Sequence, residues 1–225
     1  MSMRLTDQRG FTLAELMVAS VISMMILGGA VMMTSQVQQS FRRQIEDSAG
    51  EQEGRYALEW VSRLIRAAGN NPYALPLVPG GTSACPVAGT AYAWLIMDPD
   101  GDAINDDVRL QTDSNPPDGL VGGPSLGGLC NQANEDVTVS FDPVTNSITF
   151  LDNNLGGGAT IRTDAVINNL EFVFKDVARQ PTANAANVVY VETQVTVRTR
   201  MIDPSTGLPA TRLLTQEVRV RGRNY

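Results

Sequence analysis

The N-terminal part of the chain contains one long apolar run. From Phe11 to Met33 about 23 residues carry a single ionisable side chain, Glu15. At about 1.5 Å per residue, a helix of this length can cross the hydrocarbon core of a membrane. We therefore predict a membrane-spanning helix over residues 11–33.

A secretory signal peptide is the competing interpretation of this run. A signal peptide needs an apolar core of roughly 7–15 residues, followed by a cleavage site made of small residues. In this chain the small residues Gly28 to Ala30 lie inside the apolar run, and helix-compatible sequence continues after them. This order favours the membrane-spanning helix.

The sequence after Met33 becomes polar but keeps a helical period. No proline occurs between Thr34 and Ala68, and the later apolar residues recur at intervals of three and four, which predicts one stripe packed on a sheet. The stripe consists of Ala57, Trp60, Val61, Leu64, Ile65 and Ala68. Gly69 and Pro72 then predict the helix end. We expect one helix from Phe11 to Ala68.

The remaining chain has the alternating pattern of strands. A turn over residues 142–146 predicts a hairpin, and a second turn over 203–207 separates the last two strands. The predicted strands are Ala91–Met97, Val108–Thr112, Val137–Phe141, Ser147–Leu151, Leu170–Phe174, Val188–Met201 and Leu213–Arg221. The predicted fold class is therefore α+β, with a long N-terminal helix packed on a mainly antiparallel β-sheet domain.

Composition excludes several kinds of function. The 225 residues include no histidine, which removes His-dependent nucleophile arrangements and His-based metal sites. The net charge of −7 argues against a general nucleic-acid binder. Four arginines near the C-terminus are expected to lie on a solvated strand face, paired with Glu192 and Glu217, or to contact an acidic neighbour or DNA. They are Arg212, Arg219, Arg221 and Arg223.

One acidic loop carries the spacing of a calcium-binding loop. The predicted ligands are the carboxylates of Asp98, Asp100, Asp102, Asp106 and Asp107, with the carbonyl oxygen of Ile104. Oxygen donors in this order suit a hard cation such as Ca²⁺. Two positions depart from the EF-hand pattern, since Ala103 replaces glycine and Arg109 replaces the final acid. The alternative is a solvated acidic turn without metal.

A short motif precedes the apolar run and resembles a known family. The sequence from Gly10 to Glu15, GFTLAE, resembles the processing site of type IV prepilins and pseudopilins. The resemblance implies that a prepilin peptidase cleaves between Gly10 and Phe11 and that the new amino group of Phe11 is methylated. It also implies that Glu15, which we expect to lack a partner in its own chain, pairs with the N-terminus of a neighbouring subunit.

The resemblance also implies a domain organisation and a location. Residues 1–10 would form the leader, 11–33 the transmembrane half of the helix, 34–69 its amphipathic half and 70–225 the β-rich pilin head domain. The subunit would cross the inner membrane once with a periplasmic head, then join a pilus at the cell surface. Its partners would be the prepilin peptidase, other major and minor pilins and the inner-membrane assembly platform.

A periplasmic head domain would also bear on the two cysteines. In that oxidising compartment, Cys85 and Cys130 are expected to form a disulfide that closes a loop of about 46 residues. The alternative is a pair of separate buried thiols.

The sequences Asn168–Phe174, Val195–Arg198 and Val218–Asn224 resemble the C-terminal sheet of the larger minor pilins and pseudopilins, the PilW and J types, and the length of 225 residues favours a minor subunit. The absence of histidine and of a clustered nucleophile–base pattern argues against an enzyme. The close alternative is the equivalent pseudopilin of a type II secretion system. A further alternative is a calcium-dependent adhesin at the pilus tip, with the acidic loop in its recognition surface.

Overall fold

The computed structural model describes residues 11–72, 93–114, 117, 121, 132–155, 157–202 and 205–220, with the backbone alone for 199–201. The chain divides into two compact units, Met1–Ile45 and Glu46–Tyr225. The predicted cleavage residue Gly10 and the predicted disulfide partners Cys85 and Cys130 lie outside the described residues.

A single helix, α1, runs from Leu13 to Ala67. It ends as the sequence predicts, because Gly69 takes a positive φ of 73° and the Asn70 N–H bonds back to the Ala67 carbonyl at 3.1 Å. Its predicted bounds, Phe11 to Ala68, are therefore confirmed to within two residues at either end.

The last third of α1 supplies one face of the head-domain core. The predicted stripe is confirmed, because Ala57, Val61 and Ile65 are fully buried and Trp60 packs partly buried against the same core. The Trp60 ring meets the Phe150 ring edge to face, with centroids 5.7 Å apart.

The strands form two antiparallel sheets, whereas the pattern of strands along the sequence predicts one. In the first sheet the strands follow their chain order: β1 Leu95–Met97, β2 Asp107–Gln111, β3 Asp136–Asp142, β4 Ser147–Asp152 and β5 Thr160–Ile161. The predicted hairpin joins β3 to β4, with Asp142 opposite Ser147 and a positive φ of 53° at Asn146. The two-residue β5 was missed, since it is too short for alternation to show.

The second sheet has the order β6 Ile167–Lys175, β7 Tyr190–Ile202 and β8 Pro209–Arg219. A short 3₁₀ helix, Ala185–Asn187, precedes β7. Inward positions of β7 alternate as predicted, with Val191, Val195 and Val197 buried.

The two sheets are joined through loops of the first sheet. The free edge of β6 donates the Phe172 N–H to the Asn105 carbonyl at 2.7 Å and the Ile167 N–H to the Asn146 carbonyl at 3.1 Å. The first of these loops connects β1 to β2, and the second connects β3 to β4. The sequence does not indicate this division. Any residue can offer its backbone carbonyl to a sheet edge, so no residue pattern marks the loops that do so.

The expected pairing of the C-terminal arginines with Glu192 and Glu217 is wrong for Arg212, which pairs with Glu51 of α1 at 2.5 Å. Glu192 and Glu217 both pair with Lys175, and Glu217 also pairs with Arg179 at 3.2 Å. Arg221 and Arg223 lie outside the described residues. Strand register places Glu192 directly opposite Glu217, and the charge of Lys175 between them relieves the repulsion of the two carboxylates.

Candidate functional site

The apolar helix begins at a cap built by two side chains of the processing motif. The Thr12 N–H and hydroxyl donate to Glu15 Oε2 at 2.9 and 3.0 Å, and the Glu15 N–H donates to the Thr12 hydroxyl oxygen at 3.3 Å. This reciprocal arrangement is a capping box, which satisfies backbone N–H groups that the first helical turn leaves without partners.

The cap corrects the expectation that Glu15 has no partner in its own chain. The T-x-x-E spacing of Thr12 and Glu15 is a sequence signal for a capping box. Both bonds from Thr12 end on Oε2, so they leave Oε1 for another donor. Glu15 therefore has a local structural role that is compatible with a second, intermolecular one.

The helix that follows this cap is apolar on all sides. Every large hydrophobic side chain between Phe11 and Met33 is between 52% and 88% exposed. The helix is long and apolar enough to cross a membrane by length and composition. An apolar surface of this extent needs lipid or other subunits to cover it, and it fits a membrane-anchored protein.

The second candidate site is the acidic loop between β1 and β2. Asp98 accepts hydrogen bonds from the backbone N–H groups of residues 101, 102 and 103, at 2.9 to 3.1 Å. Asp102 accepts one from Ile104 at 2.8 Å. Ala103, which stands where the calcium-loop pattern has glycine, takes a positive φ of 67°. The backbone thus adopts the left-handed turn that glycine takes most easily.

Three of the predicted metal ligands come together in this loop. One carboxylate oxygen from each of Asp98, Asp100 and Asp107 lies within 4.8 Å of the others. Asp107 is only 3% exposed, and its Oδ1 has no hydrogen-bond partner. Among the described residues, this group does not include Asp102 or Asp106, and the Ile104 side chain is exposed.

Burial and the closeness of the carboxylates change the pKa values of the aspartates in this loop. Desolvation by burial, and then the negative charge of Asp100, raise the pKa of Asp107 to about 7. Desolvation, followed by the charge of Asp102, also raises the pKa of Asp106. Desolvation acts against the ionised form of Asp98, but hydrogen bonds from Ala103 and other neighbours lower its pKa overall. The loop therefore holds negative charge that is only partly compensated.

The structure explains why Arg109 breaks the calcium-loop pattern. Its guanidinium donates two hydrogen bonds to the buried carboxylate of Asp136 on β3, at 2.7 and 2.6 Å. Gln111 and Asn153 donate to the same carboxylate. Arg109 thus belongs to a network between strands, which the spacing of residues along the sequence cannot show.

The comparisons with known proteins concern the first of these sites. Residues 5–31 match the family model described as the prokaryotic N-terminal methylation motif. No curated protein and no solved structure matches the chain. The matched segment contains the cleavage motif, the Thr12–Glu15 cap and most of the apolar run. The match supports a type IV pilin-like or pseudopilin protein, a class of structural subunits that a prepilin peptidase processes and that assemble with other pilins.

Proposed function

We propose that this chain is a minor type IV pilin. The observation that carries the proposal is the continuity of α1, which joins the matched methylation motif to the core of a β-rich head domain without a break. The peptidase cleaves after Gly10, Phe11 is methylated, and the subunit primes, caps or enters a pilus. The head domain faces the periplasm until the subunit is assembled.

The first test is mass spectrometry of the N-terminal peptide from protein expressed in its native envelope. We expect a peptide that begins at Phe11 and carries one additional methyl group. Gly10→Val is the matched control, because a Cβ at this position obstructs close approach by a protease, and we expect the variant to keep its leader. An intact Met1, or cleavage near Ala30, in the unaltered chain would contradict the proposal.

The second test separates the two roles of Glu15. Glu15→Gln keeps an acceptor for Thr12 but removes the charge, whereas Thr12→Ala removes the two cap bonds of the Thr12 hydroxyl and keeps the charge. We expect Glu15→Gln to be processed and inserted in the membrane but to be lost from sheared filaments. We expect Thr12→Ala to be incorporated. Normal incorporation of Glu15→Gln would show that the residue serves the cap alone.

The type II secretion pseudopilin remains the competing proposal, since the methylation motif is common to both kinds of subunit. Deletion of the gene in its native host distinguishes them. A minor pilin is expected to be required for surface filaments, and a pseudopilin for the release of folded proteins into the medium. Loss of secretion with normal filaments would favour the pseudopilin.

A further inference from the structure

The buried carboxylate of Asp107 is an unusual feature of the head domain. Its side chain begins β2, is almost fully enclosed and has one oxygen without a hydrogen-bond donor. The carboxylates of Asp98 and Asp100 approach it from the preceding loop, all within 4.8 Å. A buried ionised carboxylate is costly unless a cation or several donors compensate it.

No cation of the described part of the chain supplies this compensation. None of the described arginines, nor Lys175, pairs with Asp98, Asp100 or Asp107. Arg109 lies on the same strand as Asp107, but its guanidinium pairs with Asp136.

The donor atoms indicate which cation would fit. The group offers only carboxylate oxygens, and the chain has no histidine, so zinc and copper are poorly matched. Ca²⁺ takes six to eight oxygen ligands in flexible geometry, which a loop with several carboxylates can supply together with water. Mg²⁺ demands near-ideal octahedral geometry and gives up its water reluctantly. The chemistry therefore favours calcium.

The loop also joins the two sheets. Its Asn105 carbonyl accepts from the Phe172 N–H of β6 at 2.7 Å, and its Asp106 carbonyl accepts from the Phe141 N–H of β3 at 3.1 Å. Both acceptors lie between Asp100 and Asp107. An ion bound by Asp98, Asp100 and Asp107 would therefore hold in place the loop segment whose Asn105 carbonyl bonds to the edge of β6.

We propose that Asp98, Asp100 and Asp107 form a calcium site that fastens the β1–β2 loop to β6 and so joins the two sheets of the head domain. The proposal does not depend on which filament or secretion system the subunit serves. Calcium here has a structural role, and its loss loosens the connection between the sheets.

The test is a titration of the full-length chain in detergent micelles, after treatment with a chelator. We expect calorimetry with calcium chloride to show that one calcium ion binds to each chain. At a free concentration roughly 100 times Kd, we expect calcium to raise Tm by about 5–10 °C. Asp107→Asn and Asp100→Asn should each weaken binding at least tenfold. Asp100 is exposed, so its substitution does not put folding at risk.

Glu171→Gln is the matched control for charge. Glu171 lines the same surface groove as Asp98 and Asn105 but lies outside the carboxylate group, so this variant should bind calcium as the unaltered chain does. The absence of a calcium-dependent rise in Tm, or normal binding by Asp100→Asn, would overturn the proposal. An equal rise with magnesium at the same concentration would overturn the assignment to calcium.

Discussion

Two glycines four residues apart on α1 have different environments. A Cβ built on Gly54 would lie 2.6 Å from both the Leu214 Cδ1 and the Val197 Cγ1 atoms, whereas one on Gly50 would lie 3.4 Å from the Arg198 carbonyl oxygen. In the sequence both glycines are weak points of a helix, each costing about 1 kcal/mol relative to alanine. In the structure Gly54 lies against Val197 of β7 and Leu214 of β8, with no room for a side chain.

We expect Gly54→Ala to destabilise the chain and Gly50→Ala not to. Gly54→Ala gains helix propensity but forces the stiff, buried Val197 to move, so we expect a net loss of about 1–2 kcal/mol. Gly50→Ala meets only an ordinary contact and should be neutral or stabilise by up to about 1 kcal/mol.

Urea unfolding of the two variants in detergent would measure this difference. Gly50→Ala serves as the control for helix propensity, since both changes have the same chemistry on the same helix. Equal stabilisation by both variants would show that the helix does not need the close approach at Gly54.

Among the secondary-structure elements, the three strands of the second sheet are linked by Lys175, the only lysine of the sequence. It contacts Glu192 on β7 and Glu217 on β8, the latter at 3.1 Å, and its side chain is only 17% exposed. The lysine lies between two glutamates that face each other across the strands. Its charge therefore removes a repulsion as well as making an ion pair.

We expect Lys175→Met to lower the free energy of unfolding by about 1 kcal/mol at pH 7. The lysine lowers the pKa of Glu192, so this contribution is complete above the ordinary value of 4.5 and declines as the pH falls below it. The pKa of Lys175 is raised above its ordinary value of 10.5 by Glu192 and Glu217, so the contribution also declines in strong alkali.

Chemical unfolding of Lys175→Met and the unaltered chain at pH 7 and pH 3 would test this. We expect the difference in stability to shrink at pH 3. Arg63→Met is a suitable control, because the Arg63–Glu59 pair is 70% and 63% exposed and should contribute less than about 0.5 kcal/mol. A deficit in Lys175→Met that did not change with pH would instead indicate lost packing.

Across the whole molecule, α1 belongs to both compact units. Its first part is apolar on all sides, while residues of its last third form part of the head-domain core. The Gly69 N–H also bonds to the Gln111 carbonyl on β2 at 2.9 Å, which ties the helix end to the first sheet. The helix therefore combines an apolar segment long enough to cross a membrane with a structural element of the head domain.

We expect a chain that begins at residue 34 to fold as a soluble domain and one that begins at residue 70 not to fold. The shorter chain lacks Val61 and Ile65, which are fully buried, and each such side chain contributes roughly 1.5–3 kcal/mol. Their combined loss is comparable with the total stability of an ordinary domain. Cooperative thermal unfolding of the 70–225 chain, measured by circular dichroism, would contradict this expectation.

The sequence by itself determined the elements and the processing motif of this protein. The motif, the apolar run, the helical stripe and the alternating strands are patterns between near neighbours, and local geometry converts such patterns directly into helices and strands. The same local spacing indicated the acidic loop and placed its aspartates near one another.

Only the tertiary structure decided how these elements meet. The division into two sheets, the close approach at Gly54, the pairing of Lys175 with two glutamates and the pairing of Arg109 with Asp136 all join residues distant in the chain. Burial of Asp107, which distinguishes a solvated acidic turn from a candidate ion site, likewise depends on what packs around β2. These contacts depend on strand register and packing, which a single sequence does not specify because many partners of similar chemistry are available.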